Sequence, residues 1–268
     1  MHSASKLDKL KNIISRYQSA VIAFSGGADS TFLARITADT PGCKKVLLVT
    51  ASSPIHPLYE LEAAKKLAQT MKVKHLIINT AEIGSPYFSN NPPDRCYYCK
   101  KELFTRIKQI AAAENYAVVF DGSNTDDRHD FRPGSKALKE LGIKSPLQQA
   151  GISKAEIRNL SRTLKLPTAD KPAYACLASR FPYGENITTE KLERVSNAEL
   201  KLRELGFKQF RVRSHDNLAR IEINNKEIEK GWKKRKKLID LCKSSGFTYV
   251  TIDLEGYRTG SMNEGLPK

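Results

Sequence analysis

Long apolar runs are missing from this chain. Its longest apolar stretches are strand-length and fall well short of the ~20 residues a membrane span requires, so no membrane partner is expected. Met1 to Lys11 is polar and helix-like, without the apolar segment of a signal peptide. Cysteine is scarce: five among 268 residues, an odd number scattered along the chain, which speaks against a disulfide framework and for a reducing, cytoplasmic setting. Acidic residues are outnumbered, 29 against 45 lysines and arginines, for a net charge of +16. Such a field suits nucleic acid or phosphate-rich small substrates. The excess is diffuse, with 27 basic against 17 acidic residues up to Glu185 and 18 against 12 beyond it. Only Lys233-Lys234-Arg235-Lys236-Lys237 forms a run, and without interleaved aromatics it reads as the solvated side of a helix. Nucleic acid is therefore the less favoured partner.

Also absent is any Gly-Lys-Ser or Gly-Lys-Thr, which excludes the usual ATPase loop with its lysine on the outer phosphates. In its place, Ser25-Gly26-Gly27-Ala28-Asp29-Ser30 follows the apolar run Ala20-Val21-Ile22-Ala23-Phe24. Two glycines let the backbone close against a phosphate, Ser25 and Ser30 bring hydroxyls, and Asp29 can hold a cation. The helix expected over Thr31 to Thr37 would aim its N–H groups at the same anion. A plain tight turn has the same glycines but does not require the strand, loop and helix in this order. The loop resembles that of the pyrophosphatase-loop enzymes, which split ATP between the alpha and beta phosphates and pass AMP to an acceptor.

Periodicity predicts an opening helix near 5–16 and strands at Ala20–Phe24, Val46–Thr50, Val73–Ile78 and Ala117–Phe120. Helices are expected near Leu58–Met71 and Lys100–Glu114. That order is α/β, a parallel sheet with helices on both faces whose ligands sit beyond the carboxyl ends of the strands. The Ser25–Ser30 loop, Thr50-Ala51-Ser52 and Asp121-Gly122-Ser123-Asn124 should therefore converge on one crevice. A helix over Ser153–Leu164 opens with the capping box Ser153-Lys154-Ala155-Glu156. After a proline-marked stretch come a helix at Thr188–Leu205, paired strands at Phe207–Arg213 and Ala219–Ile223, a basic helix near Glu227–Ser244 and a strand at Tyr249–Leu254. Three parts are expected: a nucleotide domain over 1–170, a cysteine-bearing active-site loop over 171–187, and a small α+β unit over 188–268 for substrate binding or self-assembly.

Cys96 and Cys99 lie in Asp94-Arg95-Cys96-Tyr97-Tyr98-Cys99-Lys100, and Cys176 in Pro172-Ala173-Tyr174-Ala175-Cys176-Leu177-Ala178-Ser179-Arg180. Two thiolates at this spacing can reach one metal centre, with Cys176 as a distant third ligand. A zinc site, a dithiol redox pair, or Cys176 as a nucleophile favoured by Lys171 and Arg180 use the same residues. Cys43 and Cys242 read as packing residues. His129 and His215 stand beside acidic residues at no metal-ligand spacing.

Taken together, the Ser25–Ser30 loop, Asn91–Lys100, Asp121–Asp127 with Arg132-Pro133-Gly134, and Cys176–Gly184 resemble LarE. That family consists of ATP-dependent sulfur transferases of nickel-pincer nucleotide cofactor biosynthesis. The cysteine motifs set it apart from GMP synthetase, NAD synthetase and the tRNA thiolases. The resemblance implies adenylylation of a carboxylate of pyridinium-3,5-biscarboxylic acid mononucleotide, loss of pyrophosphate, and displacement of AMP by sulfur to give a thiocarboxylate. It implies ATP with Mg2+, and a 4Fe–4S cluster on Cys96, Cys99 and Cys176 that carries an added sulfide. Sacrificial donation from Cys176 and a cluster-dependent tRNA thiolase are the rival readings. By position, Asp29 would hold magnesium, and Ser25, Gly26, Gly27 and Ser30 would hold pyrophosphate. Ala23 and Ala51 would meet adenine through their backbones, and Gly122, Asn124, Asp126 and Asp127 would serve nucleotide or metal. Arg180 and Glu199 match positions near the transfer site. Arg211 and Arg213 alternate along one strand toward a substrate phosphate. The implied partners are a small nucleotide substrate, a sulfide or sulfur donor, further copies of the chain, and the nickel-inserting enzyme that receives the product.

Overall fold

The computed structural model describes residues 3–40, 44–128, 133–172 and 175–264. Cys43, His129 and Arg132 lie outside the described residues. In chain order the elements are α1 (Ser3–Ile14), β1 (Ser19–Ala23), α2 (Ala28–Asp39), β2 (Lys45–Ser52), α3 (Leu58–Met71), β3 (Lys74–Asn79), α4 (Pro86–Ser89), α5 (Arg95–Ala113) and β4 (Val118–Phe120). They continue with α6 (Gly134–Glu140), α7 (Pro146–Ala150), α8 (Lys154–Thr163), α9 (Thr189–Glu204), β5 (Phe210–His215), β6 (Leu218–Ile223), α10 (Ile228–Lys233), α11 (Arg235–Ser244) and β7 (Tyr249–Ile252). The chain divides into two compact units, one of Met1–Glu82 with Asp94–Tyr174 and one of Ile83–Pro93 with Ala175–Lys268.

The first unit is the expected α/β layer structure. Its four strands run parallel in the order β3-β2-β1-β4. Because strand side chains alternate, β1 feeds two cores. Ala20 and Ile22 pack with Phe32, Leu33 and Phe120 on one face, while Val21 joins Leu47, Phe104 and Ile107 on the other. The capping box of α8 is present: Ser153 Oγ accepts from Glu156 N at 3.3 Å and Glu156 Oε2 accepts from Ser153 N at 2.9 Å. β2 extends to Ser52, so Thr50-Ala51-Ser52 is the end of the strand rather than the turn after it.

In the second unit, β5 and β6 form an antiparallel pair and β7 adds parallel to β6. The basic helix is two helices, α10 and α11, meeting at Lys234. Cys242 is fully buried, and burial pushes its thiol up to about 12, which leaves it a packing residue. A segment far away in sequence belongs to this unit. Asn91, fully buried in a left-handed conformation, donates through Nδ2 to Pro182 O at 2.6 Å and to Phe181 O at 3.3 Å, and its carbonyl accepts from Gly184 N. Between α10, α11 and β7 lies an apolar groove of about 920 Å³ with Trp232 exposed at its edge. None of the residues predicted for chemistry lines it.

Candidate active site

The Ser25–Ser30 loop joins β1 to α2, and the sequence forces its tightness. Gly26 sits at φ +66°, where a side chain is strained, and a Cβ there would stand 3.1 Å from the backbone of Ala64. Gly27 caps α2 without any side-chain hydrogen bond, so no side chain from the cap occupies the first N–H groups of the helix. Ser25 and Ser30 bring their hydroxyls within 3.2 Å of each other. The predicted convergence occurs in this unit. Gly122, just beyond β4, lies so close that an added Cβ would be 3.3 Å from Ser30 N.

Asn124 Nδ2 donates to Asp29 Oδ2 at 3.2 Å, while Asn124 N donates to Asp127 Oδ2 at 3.0 Å. Asp126 Oδ2 accepts from Lys154 N at 3.0 Å and so ties this loop to α8. The other oxygen of Asp29, Oδ1, is buried with no hydrogen-bond partner among the described residues. Burial raises the Asp29 carboxyl above its ordinary range, and Asp127 adds to this against Lys154, the Asn124 hydrogen bond and Arg158. A buried carboxylate oxygen without a partner among the described residues suits a hard cation beside a polyphosphate, so the donor set fits Mg2+. Ala23 pairs with Val49 and Ala51 with Ile78, both at strand ends. Thr50 Oγ1 donates to Phe24 O at 2.5 Å and lies 2.8 Å from His75 Nε2, which holds the strand end that precedes the loop.

Cys96 and Cys99 stand near the start of α5, three residues apart and half-buried, so both thiols share one helix face. The start of α6 packs on this turn, where a Cβ on Gly134 would come within 3.0 Å of Cys96 O. Cys176 belongs to the second unit and begins a short turn over Leu177–Arg180. Among the described residues these thiols are in no disulfide, and no three His, Cys, Asp or Glu side chains are gathered to hold a metal ion.

Arg180 is fully buried. Its Nε and Nη2 each lie 2.9 Å from Glu199, and its Nη1 donates to Ala175 O at 2.8 Å and Cys176 O at 3.1 Å. Glu199 also accepts from Val212 N at 3.0 Å. Burial pushes the Glu199 carboxyl up, and Arg180 overcomes this to hold it below the ordinary carboxylate range. These two predicted catalytic residues thus fix the main chain at Cys176. Arg213 donates to Glu222 at 2.7 Å, to Ser261 Oγ at 2.9 Å and to Ser179 O at 3.0 Å. Arg211 donates to Phe210 O at 2.7 Å and lies over the Tyr257 ring. Burial lowers its pKa, and Arg180 and Arg213 add to the effect.

The sequence suggested Lys171 as a neighbour of the Cys176 thiol and gave no sign of its part in the loop, where its ammonium is engaged. Lys171 Nζ donates to Gly26 O at 3.0 Å and to Glu60 Oε2 at 2.5 Å. A lysine before a proline gives no signal of that partnership; only the fold brings the three together.

Comparison with known proteins agrees with this geometry. A family profile described as NAD synthase matches residues 4–169. An uncharacterized protein of Synechocystis sp. is 46% identical over 98% of this chain and 99% of its own length. The pyridinium-3,5-bisthiocarboxylic acid mononucleotide synthase of Lactiplantibacillus plantarum is 37% identical over 99% of this chain and 96% of its own. An uncharacterized protein of Methanocaldococcus jannaschii is 32% identical over 95% and 98%. Sheet, loop and profile together define the class, an ATP-using enzyme of the pyrophosphatase-loop, NAD synthase type. Within that class the chain belongs to the LarE family of sulfur transferases. Among the described residues no helix is long and apolar enough to cross a membrane.

Proposed function

We propose that this chain adenylylates the carboxylates of pyridinium-3,5-biscarboxylic acid mononucleotide and converts them to thiocarboxylates for the nickel-pincer nucleotide. The observation that carries the reading is the loop itself: open helix N–H groups and a buried Asp29 oxygen with no partner among the described residues, in a chain 37% identical to the named synthase. Asp29 would hold magnesium, whose charge would offset that of the departing pyrophosphate. Ser25, Gly27 and Ser30 would bind the phosphates. Adenylylation makes the carboxylate electrophilic by giving it AMP as a leaving group. Arg211, a half-buried cation with Arg180 and Arg213 close by, would receive the substrate phosphate, with Arg213, Arg180 and Glu199 as its support.

Cys96, Cys99 and Cys176 would hold a 4Fe–4S cluster, which supplies a site for an added sulfide. Three thiolates leave one iron open, which is the chemistry such a site requires. A second reading rests on Cys176 alone, half-exposed at the head of its turn: it gives up its own sulfur. The protein would work in the cytoplasm as a homo-oligomer and pass its product to the nickel-inserting enzyme.

Anaerobic reconstitution with iron and sulfide, followed by product mass spectrometry, tests both. About four irons per chain, lost on replacing any of the three cysteines, together with repeated turnover, is the expected result. A product thiocarboxylate accompanied by loss of one sulfur mass from Cys176 would establish the sacrificial route instead.

A further inference from the structure

The loop carries no lysine of its own, but the fold brings one to it from 145 residues away. Lys171 is rooted by Arg158 of α8, which donates through Nη1 to Ala169 O at 2.9 Å and through Nη2 to Lys171 O at 2.8 Å. Its ammonium bridges Gly26 O and Glu60, and the two side chains are only 21% and 12% exposed. Glu60 stands in the first turn of α3, and Ala64, one turn later, is the surface against which Gly26 packs.

A trans peptide is planar, so its carbonyl and its N–H point in opposite directions. The peptide between Gly26 and Gly27 is flanked by the two residues least able to resist rotation, and Gly26 already sits at positive φ. If this unit flipped, its carbonyl oxygen would take the place of the N–H, and an anion would be repelled where it should be bound. With Gly26 O held by a lysine, the Gly27 N–H is aimed the other way, where it donates a long 3.4 Å hydrogen bond to Ser25 Oγ that a phosphate oxygen would take over.

We propose that the Lys171–Glu60 pair is an orientation lock on the Gly26–Gly27 peptide. Lys171 is a positioning residue for polyphosphate binding that acts through the loop backbone. The inference rests on the reading of the loop as a polyphosphate site.

The test is calorimetric titration of the full chain with inorganic pyrophosphate, beside ATP–pyrophosphate exchange, for Lys171→Met, Lys171→Arg, Glu60→Gln and the double variant Glu60→Gln/Lys171→Met. Lys171→Met is expected to weaken pyrophosphate about tenfold and raise the KM for ATP by a similar factor, with kcat changed by less than about threefold. Lys171→Arg should recover most of the affinity, and Glu60→Gln should weaken it about threefold. The double variant should be no worse than Lys171→Met, since both changes break one interaction.

Unchanged pyrophosphate affinity in folded Lys171→Met, a loss confined to kcat, or additive effects would each overturn the lock. So would tighter binding in Glu60→Gln, the result expected if Lys171 simply touched phosphate. Should Lys171→Met fail to fold, Lys171→Arg and Glu60→Gln decide the matter alone. A wild-type protein that binds neither pyrophosphate nor ATP would bring down the polyphosphate reading itself, and the lock with it.

Discussion

In the first unit Asp29 keeps one carboxylate oxygen buried with no hydrogen-bond partner among the described residues, whereas in the second Glu199 gives both oxygens to Arg180 and one also to Val212 N–H. Both are buried acids beside a residue proposed for chemistry, but their pKa values move in opposite directions. Burial leaves Asp29 raised, and the guanidinium brings Glu199 down. An acid left short of partners is set up to receive something, and an acid whose partners are complete is set up to hold something still. The contrast supports the chemistry proposed for the nucleotide loop, and it gives the Cys176 turn a fixed main chain.

The contrast breaks most visibly through Arg180. Arg180→Met would leave Glu199 buried without its counter-charge and should cost about 3–5 kcal/mol in denaturant unfolding of the second unit, much of it recovered when Glu199→Gln is added. An Arg180→Met protein of wild-type stability would mean that the pair is not structural. Asp29→Asn should do the reverse. ATP–pyrophosphate exchange should fall by on the order of 100-fold, while the melting temperature without magnesium holds or rises, because a desolvated carboxylate has been removed. A matching loss of stability would erase the difference between the two acids.

The smallest effect concerns pH. Burial lowers the His56 pKa below its ordinary 6.5, against Glu82 and Glu60. The unfolded chain therefore takes up a proton first as pH falls, and stability present above pH 6.5 is lost as the solution is acidified below it. His56→Gln should flatten that part of the stability curve by on the order of 1 kcal/mol or less. A curve unchanged in His56→Gln would remove this histidine from the acid response of the first unit.

The layers of the first unit were legible because each signal there is local. Apolar strands, the double glycine and the Ser153–Glu156 box each prescribe their own geometry within a few residues. The second unit was harder to read. Phe207 to Gln209 precede β5 rather than belong to it, and nothing local assigns Asn91 to partners 90 residues away. The break of the basic helix at Lys234 was not readable, because a run of lysines has no period that marks a joint. At the site, Asp29, Gly122 and Asn124 were readable as strand-end residues. Their companions Lys171 and Glu60 were not, since an ion pair across 111 residues exists only once the sheet has formed.

Cys176 has one further property that follows from its carbonyl. That oxygen accepts from Ser179 N, Ser179 Oγ and the buried Arg180, while the residue as a whole remains half-exposed. With the main chain pinned and the side chain hanging from it, the sulfur has one degree of freedom, a swivel about the Cα–Cβ bond among three staggered settings. Its reach is an arc of a few ångströms, so any group that is to react with or bind this thiol must come to that arc.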